Sequence, residues 1–210
     1  MRLSYLGDSY DIVKQSFLRW LSALGPWSAN PMFTEEVPGE QIDVFARLLG
    51  VPLISTETLR PKSDRFAYFA TARACHTHLF LDPDTGLRLE RVGGKRAPAY
   101  LFGEELAQIA RSRPGLLTLV FDQSLGRGNK AEQLEQKLLA LAAVGLHGAA
   151  YVSHACFILV AHESELVREA VLAVREQSGL PSARFVRGGT AEQPDAADER
   201  RLASRSAARS

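Results

Sequence analysis

HLFLDPDTGLRLE, residues 78–90, is the stretch on which the reading of the fold turns. Leu79, Phe80 and Leu81 form a short apolar run without polar alternation, the pattern of a strand covered on both faces. Asp82, Pro83, Asp84, Thr85 and Gly86 follow at once, and Pro and Gly stop a strand. A buried strand that ends on two carboxylates poses a choice. Asp82 and Asp84 either bond backbone amides in an Asx-Pro turn, or stand at a site where they activate water, hold a metal or steady a cation. A buried carboxylate is costly unless paired or hydrogen-bonded, so its presence at a strand end favours use.

From this stretch onward the pattern is strand, loop, helix, repeated. Strands are predicted over 77–81, 116–122, 149–153 continuing to 160, and 183–186, with helices over 103–111, 130–144 and 164–178. The alternation predicts an α/β fold of three layers, α/β/α, with a central mostly parallel sheet. The segment 145–162 is also long enough for two antiparallel strands, and both alternatives stand. Upstream, residues 9–24 place Val13, Phe17, Trp20, Leu21 and Leu24 at helical spacing, with Asp8 at the N-cap and Gly25-Pro26 at the end. A loop through Pro31 and Pro38 leads to a second helix over 41–49, a short strand over 51–54 and a helical piece over 64–74. N-terminal helices and sheet form one domain over 1–187. Residues 188–210 read as a polar tail, in which Pro194 suits the first turn of a terminal helix.

Composition bounds the function. Apolar residues make up 46% of the 210 and charged residues 23%, a soluble globular balance. Lys and Arg number 25 against 24 Asp and Glu, net +1, so a nucleic-acid partner has to be argued from local clusters. No apolar run approaches the roughly 20 residues of a membrane helix. Asp8, Asp11 and Lys14 interrupt any secretory apolar region. With Cys75 and Cys156 the only cysteines, no disulfide framework is present, and the expected location is cytoplasmic.

In an open α/β sheet, ligands bind beyond the carboxyl ends of the strands. The first such loop, DPDTGLRLERVGGKR, holds Asp82, Asp84, Arg88, Arg91, Lys95 and Arg96; the next, DQSLGRGNK, holds Asp122, Arg127, Asn129 and Lys130. Together the two basic loops form a candidate phosphate-tracking groove beside a carboxylate pair. A third supplies Ser153 and His154, and His is the usual proton handler near neutral pH. Asp8 and Tyr10 open the first helix, where a capping role competes with one at the site. The Cys75, His76, His78 spacing matches no standard zinc motif. Walker loop, G-x-S-x-G elbow and HExxH are all missing from the sequence. No metal and no cofactor are therefore expected.

YLGDSYDIVKQSFLRWL, LFLDPDTGL and LLTLVFDQSLGRG resemble a family of small bacterial proteins that carries GDSYDIVK and LFLDPDTGL. That resemblance is one of pattern and implies no activity. The same layout is similar to Rossmann methyltransferase relatives acting on RNA, although GVPLISTETL lacks the glycine-rich cofactor turn they use. It is also similar to the uracil-DNA-glycosylase superfamily, in which one strand ends in an Asp-Pro loop and a later one leads to a His loop. Asp82-Pro83 and Ser153-His154 match in order, but no Tyr-His follows Asp82-Pro83 and Ala155 stands where a Pro is usual.

The glycosylase resemblance implies a DNA-processing hydrolase that cleaves the N-glycosidic bond of a modified base, a plausible defence against phage DNA. Its chemistry needs a carboxylate to steady a cationic sugar or position water, and a group to bond the departing base. The base must also be flipped out onto an aromatic platform. Asp82, Asp84, His154 and Asp8 are the catalytic candidates. Arg88, Arg91, Lys95, Arg96, Arg127, Asn129 and Lys130 are candidates for DNA binding, and Tyr10, Tyr100 and Phe102 for stacking. The alternatives are a magnesium nuclease built on Asp82 and Asp84 with Asp122 or Asp8, and a degenerate Rossmann methyltransferase-like nucleic-acid-binding protein.

Overall fold

Asp8 opens the first helix, α1 (Ser9–Leu21), by accepting the backbone amides of Tyr10 and Asp11 in the computed structural model, which describes residues 6–188. The helix buries Phe17, Leu18 and Leu21 and ends in a 3-10 turn, Ser22–Leu24. The chain then enters β1 (Trp27–Asn30), followed by α2 (Gly39–Leu49). Two short helices come next, α3 (Arg65–Tyr68) and α4 (Ala70–Arg73), so the piece expected over 64–74 is broken at Phe69. The expected strand over 51–54 amounts to one bridge between Leu53 and Ala29.

The apolar runs form the expected centre. β2 (His78–Leu81) is buried along its whole length, as is β5 (Thr118–Asp122). Between them a small parallel sheet of β3 (Gly86–Arg88) and β4 (Tyr100–Phe102) precedes α5 (Gly103–Arg111). Glu105 in the first turn of α5 reaches back to accept the Phe102 amide at 3.0 Å. After β5 come α6 (Lys130–Ala142), β6 (His147–Tyr151), β7 (Cys156–Ala161), α7 (Ser164–Ser178) and β8 (Phe185–Arg187).

The main sheet runs β1-β2-β5-β7-β6-β8 and is mixed. β1, β2 and β5 are parallel, as expected from strands joined by helical crossovers. β7 is antiparallel to both β5 and β6, and β8 to β6. The cause is loop length: residues 152–155 are too few for a crossover, so β6 and β7 fold as a hairpin. The mostly parallel sheet anticipated from the strand–helix alternation is therefore found in the β1-β2-β5 half only.

Side chains alternate across the sheet. Phe80, Leu119 and Phe157 pack with residues of α1, α2 and α7, whereas Leu79, Leu81 and Ile158 pack with residues of α5 and α6. Phe17 of α1 stacks on Phe157 of β7 with centroids 4.3 Å apart; truncating either ring to Ala costs about 3–5 kcal/mol. Among the described residues no helix is long and apolar enough to cross a membrane. The polar tail expected over 188–210 lies, beyond Gly188, outside the described residues.

Candidate functional site

The carboxyl ends of β1 and β2 meet at a buried polar cluster. Asp82 follows β2, is 1% exposed, and donates its amide to the Asn30 carbonyl at the end of β1 (3.0 Å). Its Oδ2 accepts from Lys14 Nζ at 2.9 Å, and the same ammonium donates to Asp11 Oδ1 at 3.1 Å. Lys14 Nζ also lies 4.6 Å from the centroid of Phe121 near the end of β5. Asp11 Oδ2 accepts the Gly7 amide at 2.9 Å. Asp11 and Lys14 continue toward the N-terminus of α1 the stripe that Leu18 and Leu21 bury. Two carboxylates and one ammonium thus share a water-poor site.

Burial and the mutual pairing set the direction of the titrations. Burial pushes the Asp82 carboxyl up, and Lys14 opposes the push without cancelling it. Burial pulls the Lys14 ammonium down, but Asp82 and Asp11 more than reverse it, so the ammonium ends above its ordinary value. Ordered this way, Lys14 stays charged and holds the end of β2 to α1.

Two buried polar atoms in this cluster have no hydrogen-bond partner among the described residues, Asp82 Oδ1 and Asn30 Nδ2. Asn30 Oδ1 is used: it accepts from the Met32 amide (3.1 Å) and from the Tyr68 hydroxyl (3.2 Å). Met32 follows with φ of 47°, a left-handed conformation uncommon for its residue type, and its side chain is fully buried. The turn after β1 therefore has no glycine and is packed with Met32 and Phe33.

The candidates from the sequence distribute around this cluster. Tyr10 is half-buried, its ring 5.7 Å from Phe121 edge-on and 5.6 Å from the exposed His154 in the β6–β7 turn. Tyr10 thus links His154 to Phe121, and Lys14, over the same Phe121 ring, is bonded in turn to Asp82. Asp8 is spent on capping α1. Asp84 is half-buried in the turn toward β3.

Asp122 serves the scaffold. Its Oδ1 accepts from the Leu87 and Ser124 amides, both at 3.0 Å, and from the Ser124 hydroxyl at 2.7 Å; Oδ2 accepts from Lys137 at 2.6 Å. Gly86 makes this possible, because a Cβ there would lie 2.1 Å from Asp122 Oδ1 and φ is +135°. The two carboxylates added to Asp82 and Asp84 for a magnesium site, Asp122 and Asp8, are both committed to backbone amides. Among the described residues no group of three or more His, Cys, Asp and Glu is placed to hold a metal ion.

The basic loops divide likewise. Lys130 donates to the Ser153 carbonyl (3.1 Å), and Asn129 caps α6 by accepting the Ala131 amide (3.0 Å). Arg91 pairs with Glu104, and Arg88 lies over the half-buried Tyr100 ring at 5.3 Å. Lys95, Arg96 and Arg127 are exposed. Phe102 is 1% exposed beneath Arg65, 4.6 Å away, so its ring packs inward in this conformation. Sequence reasoning missed Lys14, Asp11, Asn30 and Lys137. Of these, Lys14 carried a signal, a charged residue in phase with the buried face of α1.

No protein-family profile matches the chain, and neither a curated protein nor a solved structure matches it.

Proposed function

We propose that the chain is a nucleic-acid-binding protein of the degenerate Rossmann methyltransferase type, a three-layer cytoplasmic domain whose would-be catalytic end is closed. The observation that carries this reading is the Asp82–Lys14–Asp11 cluster. A carboxylate 1% exposed and paired with an ammonium at 2.9 Å is poorly placed to face a cationic sugar or an attacking water. The turn after β1, where a nucleoside cofactor would need glycine for close approach, is instead filled by Met32 and Phe33. The exposed Lys95, Arg96 and Arg127 supply phosphate contacts. The test is fluorescence anisotropy with labelled DNA and RNA strands between 50 and 200 mM salt. This reading expects binding that weakens steeply with salt, with no methyl transfer from a labelled donor; binding of that donor or transfer to the strand would overturn it.

A second reading is favoured by one observation, the buried Asp82 Oδ1 without a hydrogen-bond partner among the described residues. On it the protein is a DNA-glycosylase-like hydrolase in which Asp82 acts after the α1 end moves aside, with phage DNA as a target. Metal-independent formation of abasic sites, abolished in Asp82→Asn, would establish it.

A further inference from the structure

A shallow surface cleft lies away from the Asp82 cluster, walled by Arg65, Arg73 and Arg91, with Glu105 at one side and Phe66 and Phe69 as its apolar surfaces. The three guanidiniums are not equivalent. Arg65 is a strut: it meets Glu105 through two bonds of 2.6 and 2.7 Å and donates to the carbonyls of Ala97 and Tyr100. Glu105 is thereby neutralised, and the basic 3-10 helix Gly94–Ala99, with Lys95 and Arg96, is held on the same rim. Arg91 is exposed; it pairs with the exposed carboxylate of Glu104, a pairing of little net worth, and lies 3.8 Å from Glu105, whose charge Arg65 already meets. Arg73 lies 3.8 Å from the Phe66 centroid and donates to the Phe66 carbonyl; among the described residues no carboxylate pairs with it. Phe66 is 66% exposed, more than any other large hydrophobic residue described.

An exposed ring beside two available guanidiniums fits a ligand with a flat aromatic face and an anionic group about one unit away. Aromatic rings stack on bases regardless of sequence, and Arg binds phosphate through a planar fork. The site is open to solvent on one side, so a base can lie against the exposed Phe66 ring while its phosphate stays at the rim. We infer that this cleft binds one nucleotide unit of a single strand, the base on Phe66 and the phosphate on Arg73 and Arg91, with the strand leaving past Lys95 and Arg96. The inference deepens the nucleic-acid-binding reading above and rests on it for the strand.

The experiment measures anisotropy of a labelled mixed-sequence ten-nucleotide strand, its duplex, and competition by free adenosine monophosphate, for wild type, Phe66→Ala, Phe66→Tyr and Arg73→Gln. Phe66 is exposed and Arg73 half-buried, and unchanged thermal midpoints verify the fold of each variant. Phe66→Ala should weaken strand binding about 5- to 150-fold, the range for loss of one stacked base, and Phe66→Tyr should retain it. Arg73→Gln should lower the salt slope by about 0.7, the value for one phosphate of a single strand. Binding of the mononucleotide alone, abolished in Phe66→Ala, would uphold the cleft but overturn the strand and the nucleic-acid reading with it. Strand binding unaffected by Phe66→Ala and Arg73→Gln would overturn the cleft and leave that reading standing. Wild-type protein that binds neither ligand would overturn both.

Discussion

Lys14→Met is the perturbation that separates a structural Asp82 cluster from a catalytic one. Met keeps the length of the lysine stem and removes its charge. The variant leaves two carboxylates, Asp82 and Asp11, with side chains 1% and 4% exposed, without the ammonium that lay 2.9 and 3.1 Å from them. Breaking a buried ion pair from one side typically costs about 3–5 kcal/mol, because a charge is stranded away from water. For a chain of this size, 1 kcal/mol moves the midpoint by about 2–4 °C, so the unfolding temperature should fall by roughly 6–20 °C. Asp82→Asn should cost less, since Lys14 then keeps Asp11 as its partner. The double variant Lys14→Met, Asp82→Asn should be more stable than the sum of the two losses, with a coupling above about 1 kcal/mol. The pH dependence carries its own sign. Without Lys14, the folded pKa of Asp82 rises further above its unfolded value, so the folded state binds more protons, and stability falls as pH rises from about 4 toward 7. Urea unfolding of the four proteins at pH 5 and 7 measures all of this. A Lys14→Met protein within about 1 kcal/mol of wild type at pH 7 would refute the reasoning.

Other consequences are independent of that cluster. His78 accepts the Leu117 amide on Nδ1 (3.0 Å), which leaves Nε2 to donate to the Leu24 carbonyl (3.1 Å), and burial holds its pKa below 6.5. A ring whose folded pKa is depressed contributes stability fully present above the unfolded pKa and lost as pH falls below about 6.5. Unfolding midpoints between pH 7.5 and 5 should therefore decline more steeply in wild type than in His78→Gln, and equal slopes would remove His78 as the cause. Gly86→Ala should destabilise by more than about 2 kcal/mol, read by calorimetry, since its Cβ collides with Asp122 at a left-handed φ; a neutral effect would mean that β3 shifts freely. Arg91→Glu with Lys95→Glu should lower the salt slope of strand binding by about 0.7 for each phosphate no longer neutralised, and an unchanged slope would mark both as ordinary solvated surface.

Long periodic segments were legible in the sequence. Helices α5 and α7 match their expected limits, and β2 and β5 follow from uninterrupted apolar runs that only a doubly covered strand tolerates. β1 was not legible: Trp27–Asn30 lies between Pro26 and Pro31, and its buried Ser28 and Asn30 read as loop residues. β3 and β4, at three residues each, are shorter than any pattern can mark. In the candidate site, Asp82 was visible as the stop to an apolar strand, but its partner was not. Lys14 stands 68 residues away, and a tertiary ion pair leaves no local signature. The exposed Phe66 and the half-buried Arg73 were equally silent, because a four-residue helix has no periodicity from which an outward face can be read.

The central claim is that this fold holds a strand without changing it. Intact-mass spectrometry of a DNA strand carrying modified bases, recovered after incubation at a protein concentration where anisotropy shows it bound, tests that claim most directly. Salt-sensitive binding with an unaltered strand mass is the predicted result, in wild type and in Asp82→Asn alike. A strand lighter by one base, produced by wild type and absent with Asp82→Asn, would contradict it and place Asp82 at the centre of a catalytic site.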